Sequence, residues 1–389
     1  MAGRITLDFL KTESAAGAIL AAAAAAGLIL ANSPWAGPYL AFVQTDFTIQ
    51  FGAFRETHST ADWIKHGLMA VFFFVVGLEI KHEVLQGELS NPRRLALPLL
   101  AALGGMAAPA VIYLALNLGD GGRPSGWPIP IATDIGFALA ALAMAGPRLP
   151  PTLRTFLLTL AIADDLGAVA VIGFAFDQGL RWAPLGGALV SLALMALLGR
   201  WRGAPYLLYA LGLVMVWAFT LKSGLSTSVT AVAAAMTIPI APRKPHRPGV
   251  LEDFMESLHP YVAFLILPLF AFTATGIPLS QLPTSALLSA PVLGVALGLF
   301  IGKQVGVFGA TALAIGLKIA RRPTGATWLE LYGVSVLCGA GFTLSLFIAA
   351  LAFPNGAGSE VRLGVLVGSV LSIALGMAVL GWAQARRKA

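Results

Sequence analysis

The middle of the chain contains the apolar stretch Leu160-Ala161-Ile162-Ala163-Asp164-Asp165-Leu166-Gly167-Ala168-Val169-Ala170-Val171-Ile172. Apart from its two adjacent carboxylates, the stretch has the composition of a membrane-spanning helix. One ionised Asp at the centre of such a helix costs roughly 2.5–3.5 kcal/mol, so the pair costs about twice that before the two charges repel. A penalty of this size indicates that Asp164 and Asp165 bind a small cation, protons, or both in turn.

The composition of the whole chain excludes a soluble protein. Of the 389 residues, 58% are hydrophobic and 11% are charged, whereas soluble domains carry about 25% charged residues. Because one span needs about 20 residues, the chain has room for around a dozen spans. The single cysteine, Cys338, excludes an internal disulfide. The net charge of +7 is explained by basic loop residues that set orientation in the membrane, not by nucleic-acid binding.

Apolar runs between charged or Pro/Gly-rich breaks predict an all-α polytopic membrane protein with about twelve spans, in one domain over residues 1–389. The approximate spans are residues 14–31, 61–84, 95–116, 127–145, 152–175, 183–199, 205–220, 224–240, 257–275, 289–314, 329–351 and 361–384. Residues 46–57 alternate between apolar and polar on both sides of Gly52-Ala53. This pattern predicts a short extracytoplasmic β-hairpin, with a plain loop as the alternative.

The loop charges predict the orientation of these spans. If both termini lie on one side, eighteen of the 25 Lys and Arg residues lie on that side, six lie on the other, and Lys303 lies within a span. Since basic loops stay in the cytoplasm, we expect both termini there.

Two spans are interrupted near their middle. The span 127–145 contains two prolines, Thr133-Asp134 and Gly136, and the span 329–351 contains Cys338-Gly339-Ala340-Gly341. The two spans are seven apart and so cross in opposite directions. Interrupted spans at matching places in oppositely oriented halves indicate an inverted repeat, here spans 3–5 and 10–12 (roughly 95–175 and 289–384), with a central binding site. Span 12 lacks an acid that matches Asp164 or Asp165.

Four ionisable residues lie deep in the predicted spans, namely Asp134, Asp164, Asp165 and Lys303. Where two interrupted helices cross, Asp134 would offset the positive helix ends and Lys303 the negative ones, with a direct role in transport as the alternative. One lysine serves three aspartates, so at least one carboxylate lacks a cationic partner. Adjacent carboxylates titrate as a coupled pair, which can hold protons at low pH and release them to a cation at high pH. Thr133 is the nearest hydroxyl that could complete an oxygen shell.

A second polar group lies at the predicted cytoplasmic ends of two spans. It consists of Glu79, Lys81, His82 and Glu83 after span 2, and of Glu252, Asp253, Glu256 and His259 before span 9. Ordinary solvated helix ends are one interpretation. The other is an acidic cation funnel with pH-responsive groups.

Several motifs occur together and in order along the chain: Met69–Lys81, Ala132-Thr133-Asp134-Ile135, Asp164-Asp165-Leu166-Gly167, Leu221-Lys222-Ser223-Gly224, Leu258-His259-Pro260, Gly302-Lys303 and Leu337-Cys338-Gly339. With these motifs the sequence resembles the NhaA-type sodium/proton antiporters of bacterial inner membranes. The resemblance implies a twelve-helix inverted-repeat fold in which helices 4 and 11 are unwound and cross.

The resemblance also implies roles for the residues within the spans. Asp165 matches the main cation-binding aspartate of the family. Asp164 matches the aspartate that carries protons and pairs with the lysine of helix 10, here Lys303. Asp134 matches the acid at the helix crossing, with Thr133 beside it.

Outside the transport site, Glu79 and Glu256 match acids of the family's pH-response region, to which we also assign His82, Glu83 and His259. The hairpin matches the family's dimer contact, which implies a homodimer. Ser226 and Ser257 stand where histidines occur in the well-studied relative, and His82 replaces an arginine. The pH range of activation therefore stays open.

We therefore expect a secondary antiporter, not an enzyme, that exchanges cytoplasmic Na⁺ or Li⁺ for external protons and needs no cofactor. If more than one proton moves per cation, exchange is electrogenic. One alternative is an intramembrane aspartyl protease that uses Asp134 and Asp164, although a third acid and a lysine would disturb such a dyad. The other is a proton-translocating subunit of a redox complex.

Overall fold

A computed structural model describes residues 2–52, 54–87, 92–145, 149–176, 179–201, 203–241, 249–354 and 359–388. These residues form helices and one two-stranded sheet. The helices are α1 (Ala2–Ala31), α2 (Ala36–Gln44), α3 (Thr60–Trp63), α4 (Met69–Leu85), α5 (Pro92–Asn117), α6 (Ile135–Ala145), α7 (Pro151–Ala175), α8 (Trp182–Leu198), α9 (Tyr206–Ser223), α10 (Thr227–Thr237), α11 (Val250–Tyr261), α12 (Leu267–Ala274), α13 (Ala290–Leu297), α14 (Gly309–Gly316), α15 (Trp328–Leu337), α16 (Phe342–Ala352) and α17 (Ser359–Lys388).

Several of these helices have the length and composition of membrane spans. Within the described ranges, seven helical stretches pass this test, or up to nine if each of two bent pairs is one span. One bent pair joins α1 and α2 at 114°, and the other joins Pro124–Ile131 and α6 at 40°. The prediction of an all-α polytopic membrane protein is thereby confirmed. Five basic residues used to predict the orientation lie outside the described residues: Arg148, Arg202, Arg243, Lys244 and Arg247.

The predicted β-hairpin is present. Strands β1 (Asp46–Phe51) and β2 (Phe54–Ser59) pair antiparallel, from Asp46 opposite Ser59 to Phe51 opposite Phe54. Gly52 has φ 58°, a left-handed conformation that glycine adopts without steric cost. The hairpin extends two residues beyond the predicted end, where the Ser59 hydroxyl accepts a hydrogen bond from the Asp62 amide and begins α3.

Both predicted interruptions are breaks in helical structure. A short 3₁₀ turn, Ile129–Ile131, precedes the extended Ala132, and α6 begins at Ile135. The second break separates the end of α15 at Leu337 from the start of α16 at Phe342. A Cβ atom on Gly341 would lie 2.9 Å from the carbonyl oxygen of Ala132. Since a Cβ does not fit there, glycine is needed for the backbones of the two breaks to approach.

The helix that carries Lys303 is irregular over its middle. After α13, two π-helical segments, Gly298–Gly302 and Gln304–Phe308, lead into α14, and Lys303 lies between them. Such π-helical segments are rare and occur often at functional sites. This stretch packs closely against α5, because a Cβ on Gly306 would lie 2.1 Å from the carbonyl oxygen of Gly104.

Replacing Gly306 with Ala should therefore destabilise the protein. The added methyl group would force apart two backbones in contact, and overpacking of this kind costs about 1–3 kcal/mol. Gly309→Ala is the matched control, since a Cβ on Gly309 has no heavy atom within 4 Å. Thermal unfolding of the purified variants in detergent should show a lower Tm for Gly306→Ala alone. Equal Tm values for the two variants would contradict the close packing.

Candidate functional site

The two helix breaks contact each other directly. The Asp134 amide donates a hydrogen bond to the Ala340 carbonyl at 2.6 Å, and the Thr133 hydroxyl donates to the Cys338 carbonyl at 2.9 Å. Thr133 and Asp134 are buried, with exposed fractions of 1% and 4%. Backbone groups freed by each interruption thus find partners on the other segment, as buried polar groups must.

The Asp134 carboxylate contacts the N-termini of two helices. Its Oδ1 accepts from the Phe137 amide of α6 at 3.1 Å. Its Oδ2 accepts from the Thr343 amide of α16 at 2.9 Å and from the Thr343 hydroxyl. A carboxylate in this place satisfies amides that no intrahelical carbonyl can reach, and it offsets the partial positive charge of both helix starts.

Thr343 is a site residue that the sequence analysis did not identify. A signal for it exists in the phrase Gly341-Phe342-Thr343-Leu344, which matches Gly136-Phe137-Ala138-Leu139 in the other interrupted span. At the third position the first phrase has the hydroxyl of Thr343, where the second phrase has the methyl group of Ala138. Its partner on another helix could not be inferred from that comparison.

Lys303 bonds to a carboxylate and to the end of a helical turn. Its Nζ donates to Asp164 Oδ2 at 2.6 Å and to the Ile131 carbonyl at 2.5 Å. Both side chains of this ion pair are fully buried. Ile131 ends the 3₁₀ turn before the first break, where carbonyl groups carry partial negative charge. Lys303 therefore balances charge at the crossing and on α7 at once.

Asp164 and Asp165 lie on different sides of α7, because successive residues of an α-helix are rotated by about 100°. Asp164 faces Lys303, whereas Asp165 lines a cavity together with Asp134 and Thr133. In the described part of the chain, Oδ1 of Asp164 and Oδ1 of Asp165 have no hydrogen-bond partner. A buried carboxylate oxygen without a donor is costly, and a cation or a proton would remove that cost.

The cavity joins the two polar groups that the sequence analysis treated separately. It has a volume of about 510 Å³, and its wall includes, besides the site, the ionisable residues Glu79, His82, Glu83, Glu256 and His259. Nδ1 of His259 lies 3.7 Å from Oε1 of Glu79. The cavity therefore connects the ends of α4 and α11 with Asp165.

Three members of the second polar group make other contacts. Glu252 accepts from the Gly249 amide at 3.1 Å and so closes the start of α11. Asp253 accepts from the Tyr206 hydroxyl. The Lys81 ammonium donates to two carbonyls at the end of α10, at 2.6 and 2.5 Å. None of the three is among the residues that line the cavity.

Comparison with known proteins finds one family over nearly the whole chain. The family described as Na⁺/H⁺ antiporter 1 matches residues 7–380. An NhaA Na⁺/H⁺ antiporter of Rhodospirillum rubrum is 48% identical over 386 residues, with 96% of each chain covered. An NhaA protein of Paramagnetospirillum magneticum is 48% identical over 378 residues, covering 96% of this chain and 95% of its own. The NhaA 2 protein of Pseudomonas syringae pv. syringae is 46% identical over 374 residues, with 96% and 93% covered.

Lys303→Ala should destabilise the protein strongly at pH 7. The change leaves the Asp164 carboxylate buried without its cation, a loss of about 3–5 kcal/mol for a broken buried ion pair. Adding Asp164→Asn removes the uncompensated charge, so the double variant should recover part of the lost Tm. Thermal unfolding in detergent measures both changes. A double variant less stable than Lys303→Ala would contradict a stabilising ion pair.

Proposed function

Because this chain belongs to the Na⁺/H⁺ antiporter 1 family, we propose that it exports Na⁺ or Li⁺ in exchange for protons at Asp165 and Asp164. As a member of the family, the protein is a multi-pass bacterial membrane transporter of Na⁺ and protons. It is not an enzyme and it uses no cofactor. The aspartyl protease is therefore excluded, and the redox-complex subunit has no support.

One observation carries the assignment of the site. Asp165 is a buried carboxylate on the wall of a cavity, with one oxygen that accepts no hydrogen bond from any described residue. Asp134 and Thr133 contribute further oxygen atoms to the same wall. Hard cations prefer ligand sets made of carboxylate, hydroxyl and carbonyl oxygens. These three residues together supply such a set for a small monovalent cation.

The cation and the protons compete for the same acids. Asp164 is already paired with Lys303, so Asp165 is the carboxylate at which an incoming Na⁺ first replaces a proton. A cation beside Asp165 also repels the positive charge of Lys303 and weakens the attraction between Lys303 and Asp164. This change favours release of a second proton from the Asp164–Lys303 pair. More than one proton then moves for each Na⁺, and exchange is electrogenic.

We base alternating access on two features near the site, a cavity and a cluster of packed aromatic rings. On one side the cavity extends from Asp165 to the ends of α4 and α11. Phe73, in the half of α4 that is nearer the hairpin in sequence, packs against Phe347 with ring centroids 5.0 Å apart, and Phe270 lies 6.1 Å from Phe347. Separating these rings while closing the cavity would expose the same acids to the opposite side of the membrane.

The proposed architecture is a single domain over residues 1–389 with twelve spans and both termini in the cytoplasm. Helical segments lie within each of the twelve predicted ranges, including the shorter apolar helices α8 and α10. The units 95–175 and 289–384 form an inverted repeat. The contacts of Asp134 with the starts of both α6 and α16 support equivalent places for the two breaks.

The ionisable residues at the other end of the cavity respond to pH in this proposal. Glu79, Glu83 and Glu256 concentrate cations near the opening through their negative charge. His82 and His259 line the same part of the cavity and belong to this proposed pH-response group. The charge of this group therefore sets how strongly the opening attracts Na⁺.

The hairpin provides a contact for a second copy of the chain. The Thr60 amide donates a hydrogen bond to the Thr45 carbonyl. Because hydrogen-bonded and non-hydrogen-bonded pairs alternate along an antiparallel ladder, the odd-numbered residues of β1 are the ones that exchange hydrogen bonds with β2. Thr48 and Gln50 then direct their amides away from β2. Free amides at a strand edge pair readily with another strand, and Phe47 and Ile49 are about half exposed beside them.

Asp165→Asn tests the site. The amide cannot exchange a proton for Na⁺, so exchange should fall at least about a hundredfold, which corresponds to about 2.7 kcal/mol. Asp120→Asn, in an exposed loop, is the matched control and should exchange like the wild type. The measurement is Na⁺-driven ΔpH change in proteoliposomes that contain the purified protein. Normal exchange by Asp165→Asn would overturn the assignment.

The same proteoliposomes test the stoichiometry. A membrane potential set by K⁺ and valinomycin should change the exchange rate, because net charge moves when more than one proton is exchanged for each Na⁺. Exchange that does not depend on the potential would contradict the electrogenic proposal and leave the site assignment intact.

Gln50→Pro tests the hairpin contact. Proline removes one outward amide but no hydrogen bond within the hairpin, so the proposed homodimer should dissociate at concentrations where the wild type is dimeric. Gln50→Ala keeps the amide and should remain dimeric. Light scattering in detergent gives the mass of each variant. If Gln50→Pro is as dimeric as Gln50→Ala, this edge is not the contact.

A further inference from the structure

A second ion pair, with a buried carboxylate and a partly exposed guanidinium, lies away from the cavity. Glu330, in the first turn of α15, is fully buried. Nε of Arg387 lies 2.8 Å from Glu330 Oε1, and Nη2 of Arg387 donates to Glu330 Oε2 at 2.9 Å. Arg387 is near the end of α17. The last helix is therefore bonded to the start of the helix that ends at the second break.

The Glu330 carboxylate also closes the start of α15. Its Oε2 accepts from the Thr327 amide at 2.8 Å, while the Thr327 hydroxyl accepts from the Glu330 amide at 3.2 Å. Arg387 donates in addition to the Gly325 carbonyl in the preceding loop. The Glu330–Arg387 pair thus links the helix start, the loop before it and the end of α17.

Two further contacts bring the other site-bearing helices to the same place. The side-chain amide of Gln384, on α17, donates a hydrogen bond of 2.8 Å to the Ala145 carbonyl at the end of α6. The Thr152 hydroxyl at the start of α7 donates to the Thr324 carbonyl, also at 2.8 Å. Since α6 begins beside Asp134 and α7 carries Asp165, three helices of the site, α6, α7 and α15, are bonded at their far ends to α17 or to the loop before α15.

We propose that Glu330 and Arg387 form a positioning clamp that fixes α15 along its axis. A ten-residue α-helix is about 15 Å long and stiff, so a shift at Glu330 moves the other end, where the Cys338 and Ala340 carbonyls bond to Thr133 and Asp134. This inference rests on the proposed function of Asp134 and Thr133 as part of the cation site. Neither Glu330 nor Arg387 touches the cation.

The clamp predicts a particular kinetic change. A displaced α15 misplaces the oxygen atoms around Asp165, which weakens Na⁺ binding, while the acids that exchange protons are unchanged. The KM for Na⁺ should rise and the maximal rate should stay within about twofold. A clamp that served folding alone would reduce the amount of active protein and so lower the maximal rate without changing KM.

The experiment measures Na⁺-dependent exchange by the full-length protein in proteoliposomes. Arg387→Ala should raise the KM for Na⁺ about tenfold, which corresponds to about 1.4 kcal/mol. Glu330→Gln should act in the same direction, and the double variant should be no worse than the stronger single one, because both remove the same interaction. The matched control is Arg386→Ala. Arg386 stacks on Trp382 at 4.0 Å, and its removal takes away an equal charge without touching Glu330.

Arg387→Lys keeps the proposal testable if Arg387→Ala does not fold. Lysine preserves the charge but lacks the planar fork that reaches both carboxylate oxygens, so an intermediate KM is expected. An unchanged KM in Arg387→Ala, or in Arg387→Lys where the first variant does not fold, overturns the clamp. Asp165→Asn is measured in parallel. If it is inactive while the Arg387 variants keep the wild-type KM, the clamp alone fails; if it exchanges normally, the site proposal fails.

Discussion

The structure depends on the contact between two helices that are interrupted inside the protein. An interrupted helix leaves amides and carbonyls without intrahelical partners, and each costs several kcal/mol in a membrane interior if nothing replaces them. Here the two breaks supply partners to each other, through Asp134 to Ala340 and Thr133 to Cys338. The Asp134 carboxylate then accepts from amides at the starts of α6 and α16. The crossing is thus possible because one acid serves both helices.

Charge balance at the crossing distinguishes Asp165 from the other buried acids. Lys303 bonds to Asp164 and to the carbonyl that ends the turn before the first break. Its ammonium group therefore already has an ion-pair partner and a carbonyl partner. Asp134 accepts hydrogen bonds from the two helix starts. Among the described residues, Asp165 is the remaining acid on α7 without an ion-pair partner within 4 Å, and it is the one that lines the cavity. In the proposed mechanism, Asp165 is therefore the carboxylate at which a cation first replaces a proton.

The position of the acids within the molecule connects the site with distant parts of the chain. The cavity relates Asp165 to the ionisable residues at the ends of α4 and α11. On α15, one end bonds to the first break and the other contains Glu330, which is bonded to α17. A rigid group of helices carrying the acids, moving relative to helices that line the other wall, is what alternating access requires. The buried carboxylates are costly for stability, and in the proposed mechanism they supply a charge that a cation and a proton can both neutralise.

The sequence alone determined the membrane environment, the helical class, the two breaks, the hairpin and the acidic pair. These features depend on local properties: hydropathy over about 20 residues, prolines and glycines within a span, and alternation along a strand. The tertiary structure alone decided that Asp164 faces Lys303 while Asp165 faces the cavity, that Thr343 bonds to Asp134, and that Glu79 and His259 line the cavity whereas Lys81 and Glu252 do not. It also decided the pairing of Glu330 with Arg387, 57 residues apart. Such contacts depend on the rotation and depth of each helix relative to its neighbours, which the packing of the whole chain sets and no local pattern encodes.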